Sequence, residues 1–135
     1  MNRIFIFLVF STAFFSCDPI HDAEIRNETQ VDIIFQISFN KEALGEGLYG
    51  RFLNYYPGFE HISPMSIDTI NLICSYKITP GKSFPLHSKI AEDPNFKLFK
   101  ELLILKPDSV FYKNEEEISN AFKQTTSRHW ELIIK

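Results

Sequence analysis

The sequence predicts a mainly β domain, an antiparallel β-sandwich carrying one or two short helices. An α+β single sheet with packed helices is the alternative. Three observations lead there. Two stretches, around Val31–Phe39 and Ile70–Ile78, alternate apolar and polar residues, the spacing at which a pleated strand sends every second side chain to one face. Turn-forming groups rich in Pro, Gly, Asn and Asp recur every ten to fifteen residues. Only two segments carry helix-start chemistry. Many short strands closely punctuated by turns fit two antiparallel sheets.

Taken in order, Ala23–Asn27 reads as a first strand, turned by the polar run Asn27-Glu28-Thr29-Gln30. Val31, Ile33, Phe35, Ile37 and Phe39 then occupy every second position, with only Ile34 breaking the polar face. β-branched and aromatic types at period two make this the clearest strand of the chain. Residues 41–50 contain three glycines and read as a long loop, and 51–56 as a short strand ended by Pro57-Gly58. In Ser66–Ile78, Ile70, Leu72, Cys74, Tyr76 and Ile78 share one face. Thr79-Pro80-Gly81-Lys82 has the Pro-Gly order of a type II turn. Ser83–Ile90 is a weaker strand, suited to an edge because Pro85 cannot donate to a ladder.

Asp93 and Pro94 predict a helix start, with Phe96, Phe99 and Leu103 on one side. Residues 102–105 leave it as a strand, which Val110–Tyr112 continues after Pro107-Asp108. Asn114 caps a second helix, and Glu117 three residues on completes a capping-box pair. Glu115, Glu116 and Glu117 stand where a helix start favours anions. His129–Ile134 closes the domain, with Trp130, Leu132 and Ile134 on one face.

Upstream of this domain, Arg3 precedes the apolar run Ile4–Phe10, and Ser11–Ser16 leads into Cys17. A positive start, a short greasy stretch and a small residue before cysteine describe an export signal. The apolar stretch ends by Phe15, short of the roughly 20 residues a spanning helix needs. The preferred division is residues 1–16 as leader, 17–22 as a lipidated tether and 23–135 as one β-rich domain. Two other readings compete. Cleavage after Ala13 would release a secreted chain able to close one disulfide between Cys17 and Cys74, and residues 4–15 could be a buried element of a cytosolic domain.

The segment before Cys17 resembles the lipobox of bacterial lipoproteins, although Phe14 stands where Leu, Val or Ile is usual. Ile25-Arg26-Asn27, the turn Tyr56-Pro57, Ile78-Thr79-Pro80-Gly81, Asp108-Ser109-Val110, the acidic helix start and the Trp130 strand together resemble small β-sandwich lipoproteins of the Bacteroidetes. The chain departs from that pattern in ending at Lys135 without an aromatic-proline tail. The resemblance implies acylation of Cys17 and a place in the cell envelope, at the outer membrane, held by lipid. It also implies two O-glycosylation positions of the form Asp, Ser/Thr, apolar residue: Thr69 within Asp68-Thr69-Ile70 and Ser109 within Asp108-Ser109-Val110.

Net charge is −3, and losing Arg3 with the leader makes it one more negative. No Lys/Arg block is present, which argues against nucleic acid as partner. Residues 17–135 form one domain by length. Cys74 lies inside an apolar alternation and reads as a small buried hydrophobe, with no local His to lower its pKa. His21, His61, His87 and His129 are far apart in sequence, so no metal motif of readable spacing exists; no metal or other cofactor is expected. Asp18, His21 and Asp22 read as polar tether. Gly45, Gly47 and Gly50 match G-x-G-x-x-G, but the strand-to-helix context that a dinucleotide site requires is missing. Asn27-Glu28-Thr29 matches an N-glycosylation sequon that such a host would not use.

No nucleophile with a local base is visible, so the expectation is a non-enzymatic structural or protein-interaction module. An envelope hydrolase and an immunity-type periplasmic inhibitor are the alternatives. The expected interaction loop is 48–61, with Tyr49, Arg51, Tyr55, Tyr56 and Phe59, because Tyr and Arg concentrate at interface hot spots.

Overall fold

Alternating side chains become two facing sheets in a computed structural model, which describes residues 18–45, 62 and 64–135. The strands are β1 (Ile20–Asn27), β2 (Ile33–Phe39), β3 (Ser66–Asp68), β4 (Ile73–Ile78), β5 (Ser83–Ile90), β6 (Phe99–Leu105), β7 (Val110–Tyr112), β8 (Lys123–Thr126) and β9 (His129–Ile134). Helix α1 spans Lys41–Leu44, a 3₁₀ turn Phe96–Leu98 and helix α2 Glu115–Ala121. One sheet has the order β5-β1-β9-β8 and the other β3-β4-β2-β6-β7. The mainly β, sandwich-like architecture expected from the alternation is what the chain forms. One ladder departs from antiparallel: β1 and β9 run parallel, with Asp22 opposite His129 and Asn27 opposite Ile134.

The core lies between the sheets. Ile33, Phe35, Ile37 and Phe39 of β2, with Cys74, Tyr76 and Ile78 of β4, face Ala23, Ile25, Phe84 and Leu86 across it. Phe84 meets Phe35 edge-on at 4.8 Å between ring centres and Tyr76 at 4.5 Å, within the range of favourable aromatic pairs. Ile118 and Phe122 of the α2 segment join this core, as the i, i+4 spacing predicts.

Pro85 sits on β5, an edge strand, opposite Glu24, and the register then slips by one residue against β1. The extra residue puts both Leu86 and His87 inside, where strict alternation would have turned His87 out. Asn27 is buried at the end of β1 and fully used: its Nδ2 donates to the carbonyls of Val31 and Ile78, both at 2.8 Å. Its Oδ1 accepts from the Thr29 amide and hydroxyl. Gly81 takes the positive φ of 72° that the turn before β5 requires.

Several expectations need correction. The tether expected over residues 17–22 is shorter: β1 begins at Ile20, and the Pro19 carbonyl already accepts from the Ala91 amide at 2.8 Å. Ser66–Ile78 is not one strand. Asp68 Oδ1 accepts from the Ile70 and Asn71 amides, folding a turn in which Leu72 takes a positive φ and Ile70 points to solvent. Residues 41–44, read as loop, form α1 because Asn40 caps their free amides. The expected helix at Asp93 shrinks to the 3₁₀ turn, capped by Asn95. Val110–Tyr112 does not continue β6 but folds back antiparallel to it. At α2 Asn114 accepts from the Glu117 amide, while the Glu117 carboxylate takes the Lys113 amide, one residue before the cap.

Candidate functional site

The parallel pairing of β1 and β9 builds one polar cluster on the outer face of the four-stranded sheet. Asp22 and Glu24 alternate outward from β1, and His129 and Glu131 do the same from β9. Their side chains converge on the imidazole. Asp22 Oδ2 lies 2.9 Å from His129 Nδ1, and Glu131 Oε1 and Glu24 Oε1 lie 3.3 and 3.6 Å from Nε2. Ser83 Oγ, on β5, donates to Glu24 at 3.0 Å. The hydroxyl therefore meets a carboxylate and not the imidazole base, and the geometry does not prime it as a nucleophile. Arg26 Nη1 stands 3.8 Å from Glu131 and its Nε 3.5 Å from Glu28.

Partial burial pushes the His129 pKa down, but the polar contacts with Asp22 and Glu131 and the negative charge of Asp22 and Glu24 outweigh it, and the net direction is up. The cluster therefore favours a protonated imidazolium set among three carboxylates. It can hold a proton there. It also has the donor types of a divalent-cation site: one atom each from Asp22, Glu24 and His129 all lie within 4.8 Å of one another.

This cluster was not legible from spacing. Asp22 and Glu24 sit two apart, which on a strand means one face, but residues 18–22 read as tether. His129 and Glu131 follow the same rule on the last strand. Nothing local announces that the first and last strands lie side by side.

No family model matches the chain, and no curated protein or solved structure does.

The other histidines are dispersed. His21 stacks on Trp130 at 6.1 Å and lies 3.0 Å from Asp93, as the second residue of β1 rather than part of a tether. His87 is buried, and burial, followed by the charge of Lys89, lowers its pKa to about 4. Cys74 is fully buried; burial lifts its thiol to about 11, and the Tyr76 side chain pulls slightly the other way. The lipidation residue Cys17 and the expected interaction residues Tyr49, Arg51, Tyr55, Tyr56 and Phe59 lie outside the described residues. Thr69 is half-buried in the turn between β3 and β4, and exposed Ser109 precedes β7, its Oγ donating to the Lys106 carbonyl at 3.0 Å.

Proposed function

We propose that the chain is a lipid-anchored envelope lipoprotein, held at the outer membrane, whose β domain serves as a structural or protein-interaction module. One observation carries this reading. The leader-like segment ends at Cys17, only three residues before β1, so an acylated cysteine would fasten the sheet itself to a bilayer. Two further features support it. The outer face of the five-stranded sheet has a shallow groove of about 140 Å³ bordered by Ile73, Leu103 and half-exposed Phe111, and half-exposed apolar groups on a sheet face suit a protein partner. The acid-rich cluster around His129 gives the opposite sheet a polar outer face. Exposed Ser109 is the proposed carrier of O-linked sugar, and half-buried Thr69 the less accessible of the two positions.

Metabolic labelling with palmitate, followed by envelope fractionation, tests the anchor. Label in the wild type and none in Cys17→Ala is the expected result. Label missing from both ends the anchor reading. Cross-linked pull-down from detergent-solubilised envelope, with Phe111→Asp as the control surface, then tests the module: a partner retained by wild type and lost by the variant is expected.

A further inference from the structure

Among the described residues the three most exposed large apolar side chains are all isoleucines: Ile70 at 88 %, Ile90 at 65 % and Ile20 at 62 %. They share one end of the sandwich. Ile20 and Ile90 are direct cross-strand partners, at the start of β1 and the end of β5. Near that end His87 of β5 meets Phe99, the first residue of β6, at 6.2 Å. Phe99 packs on Phe39 at 5.8 Å, and the Phe39 amide donates to Leu72, which closes the turn that presents Ile70. The chain enters the fold at this same end. Three residue steps separate Cys17 from Ile20, a reach of no more than about 11 Å, and the hydrogen bond from Ala91 to Pro19 removes most of the slack.

We propose that this end of the sandwich docks on the bilayer, with Ile20, Ile70 and Ile90 seated at the boundary between headgroups and acyl chains. The inference rests on the lipoprotein reading: acyl chains on Cys17 would lie in the hydrocarbon, so a fold starting three residues later is brought against the headgroups. An apolar surface in that position settles about 5–10 Å into the interface. A protein partner fits less well, since three spaced side chains fall short of the roughly 800 Å² per partner that a standard interface buries. Anionic lipid is not singled out, because charges of both signs stand at this end: Lys89 pairs with Glu92, and Lys41, Glu42 and Lys100 border Ile70. Sugar on Thr69 would hold Ile70 off the bilayer, so docking also expects Thr69 to be unmodified.

The test uses the full chain, expressed in a lipoprotein-processing host and reconstituted in phosphatidylcholine vesicles with and without phosphatidylglycerol. Ile70→Cys, Ile90→Cys and, at the far end of β5, Lys82→Cys are each labelled with an environment-sensitive NBD dye; Cys74 is too buried to compete. Dyes at 70 and 90 are expected to shift to the blue and to be quenched by brominated lipid severalfold more than the dye at 82, equally in both vesicle types. Dyes at 70 and 90 as water-exposed as that at 82, on protein that stays vesicle-bound, overturn the docking and leave the anchor standing. Protein that lacks acyl groups by mass and remains in solution takes down the anchor and the docking together. A blue shift that grows with protein concentration without vesicles assigns the surface to a second copy and overturns the lipid assignment. Peptide mass mapping that places sugar on Thr69 overturns the seating of Ile70.

Discussion

At the scale of single residues, buried polar groups decide more than their number suggests. Asn27 ties the end of β1 to the end of β4 through the Ile78 carbonyl and to the approach to β2 through that of Val31, and orders Thr29. Asn27→Ala strands those groups, and we expect a loss of about 2–3 kcal/mol in urea unfolding. The same bonds explain the sequon: an amide whose two hydrogens are spent in the interior is no carrier of sugar. Tyr76 is the opposite case. Its buried hydroxyl meets the weakly bonding Cys74 thiol in place of an oxygen or nitrogen partner among the described residues, so Tyr76→Phe is expected to leave stability unchanged or raise it by up to about 1 kcal/mol. Ala91 holds a φ of 57° on the surface, a conformation that costs a side chain roughly 1–2 kcal/mol. Ala91→Gly should recover part of that, about 0.5–1 kcal/mol after the greater freedom of unfolded glycine is counted. Residue-level reading of the sequence succeeded where one side chain fixes its own neighbourhood, as with Gly81 and the Asn114 cap. It failed at Ile70, because the alternation that placed it inside ignores the turn Asp68 imposes.

Between elements, the junction of β1 and β9 makes the sheet sensitive to protons. The His129 pKa is raised in the fold, so its stabilising charge is fully present below the unfolded value near 6.5 and is lost as pH rises through the folded value. His87 works the other way. Its pKa falls to about 4, so stability present above about 6.5 is lost as pH drops toward 4, by about 3 kcal/mol at the limit. Chemical unfolding from pH 4 to 9 is expected to show both limbs. His129→Gln should flatten the alkaline limb and His87→Leu the acid one; a limb that survives its own substitution refutes that assignment. The strong alternation of β2 and β9 was readable because each buries one clean face. β8, whose four residues are all exposed, offers no such pattern, and the bulge opposite Pro85 hides His87 by breaking the parity on which pattern reading depends.

Across the whole molecule, the two sheets share one core, so a single cooperative transition is expected, with Trp130 fluorescence and far-ultraviolet circular dichroism coinciding. Removing residues 129–135 should abolish that transition, since β1 would lose one of its two ladders and the core would lose Leu132 and Ile134. The sandwich class was legible because strand length, turn spacing and one-sided burial are local properties. The placement of Asp22 and Glu24 beside His129 was not, because it depends on which strands meet across more than a hundred residues. The notion of a six-residue tether failed for the same reason: polar residues beside Cys17 look loose until the partner strands that hold them are known.

The parallel run of β1 and β9 also sets how the domain would carry force. β1 starts at one rim of the sheet, at Ile20, and β9 ends at the opposite rim. A pull between the start of β1 and Lys135 would slide these two strands past each other lengthwise, loading their whole ladder at once instead of opening it like a zip.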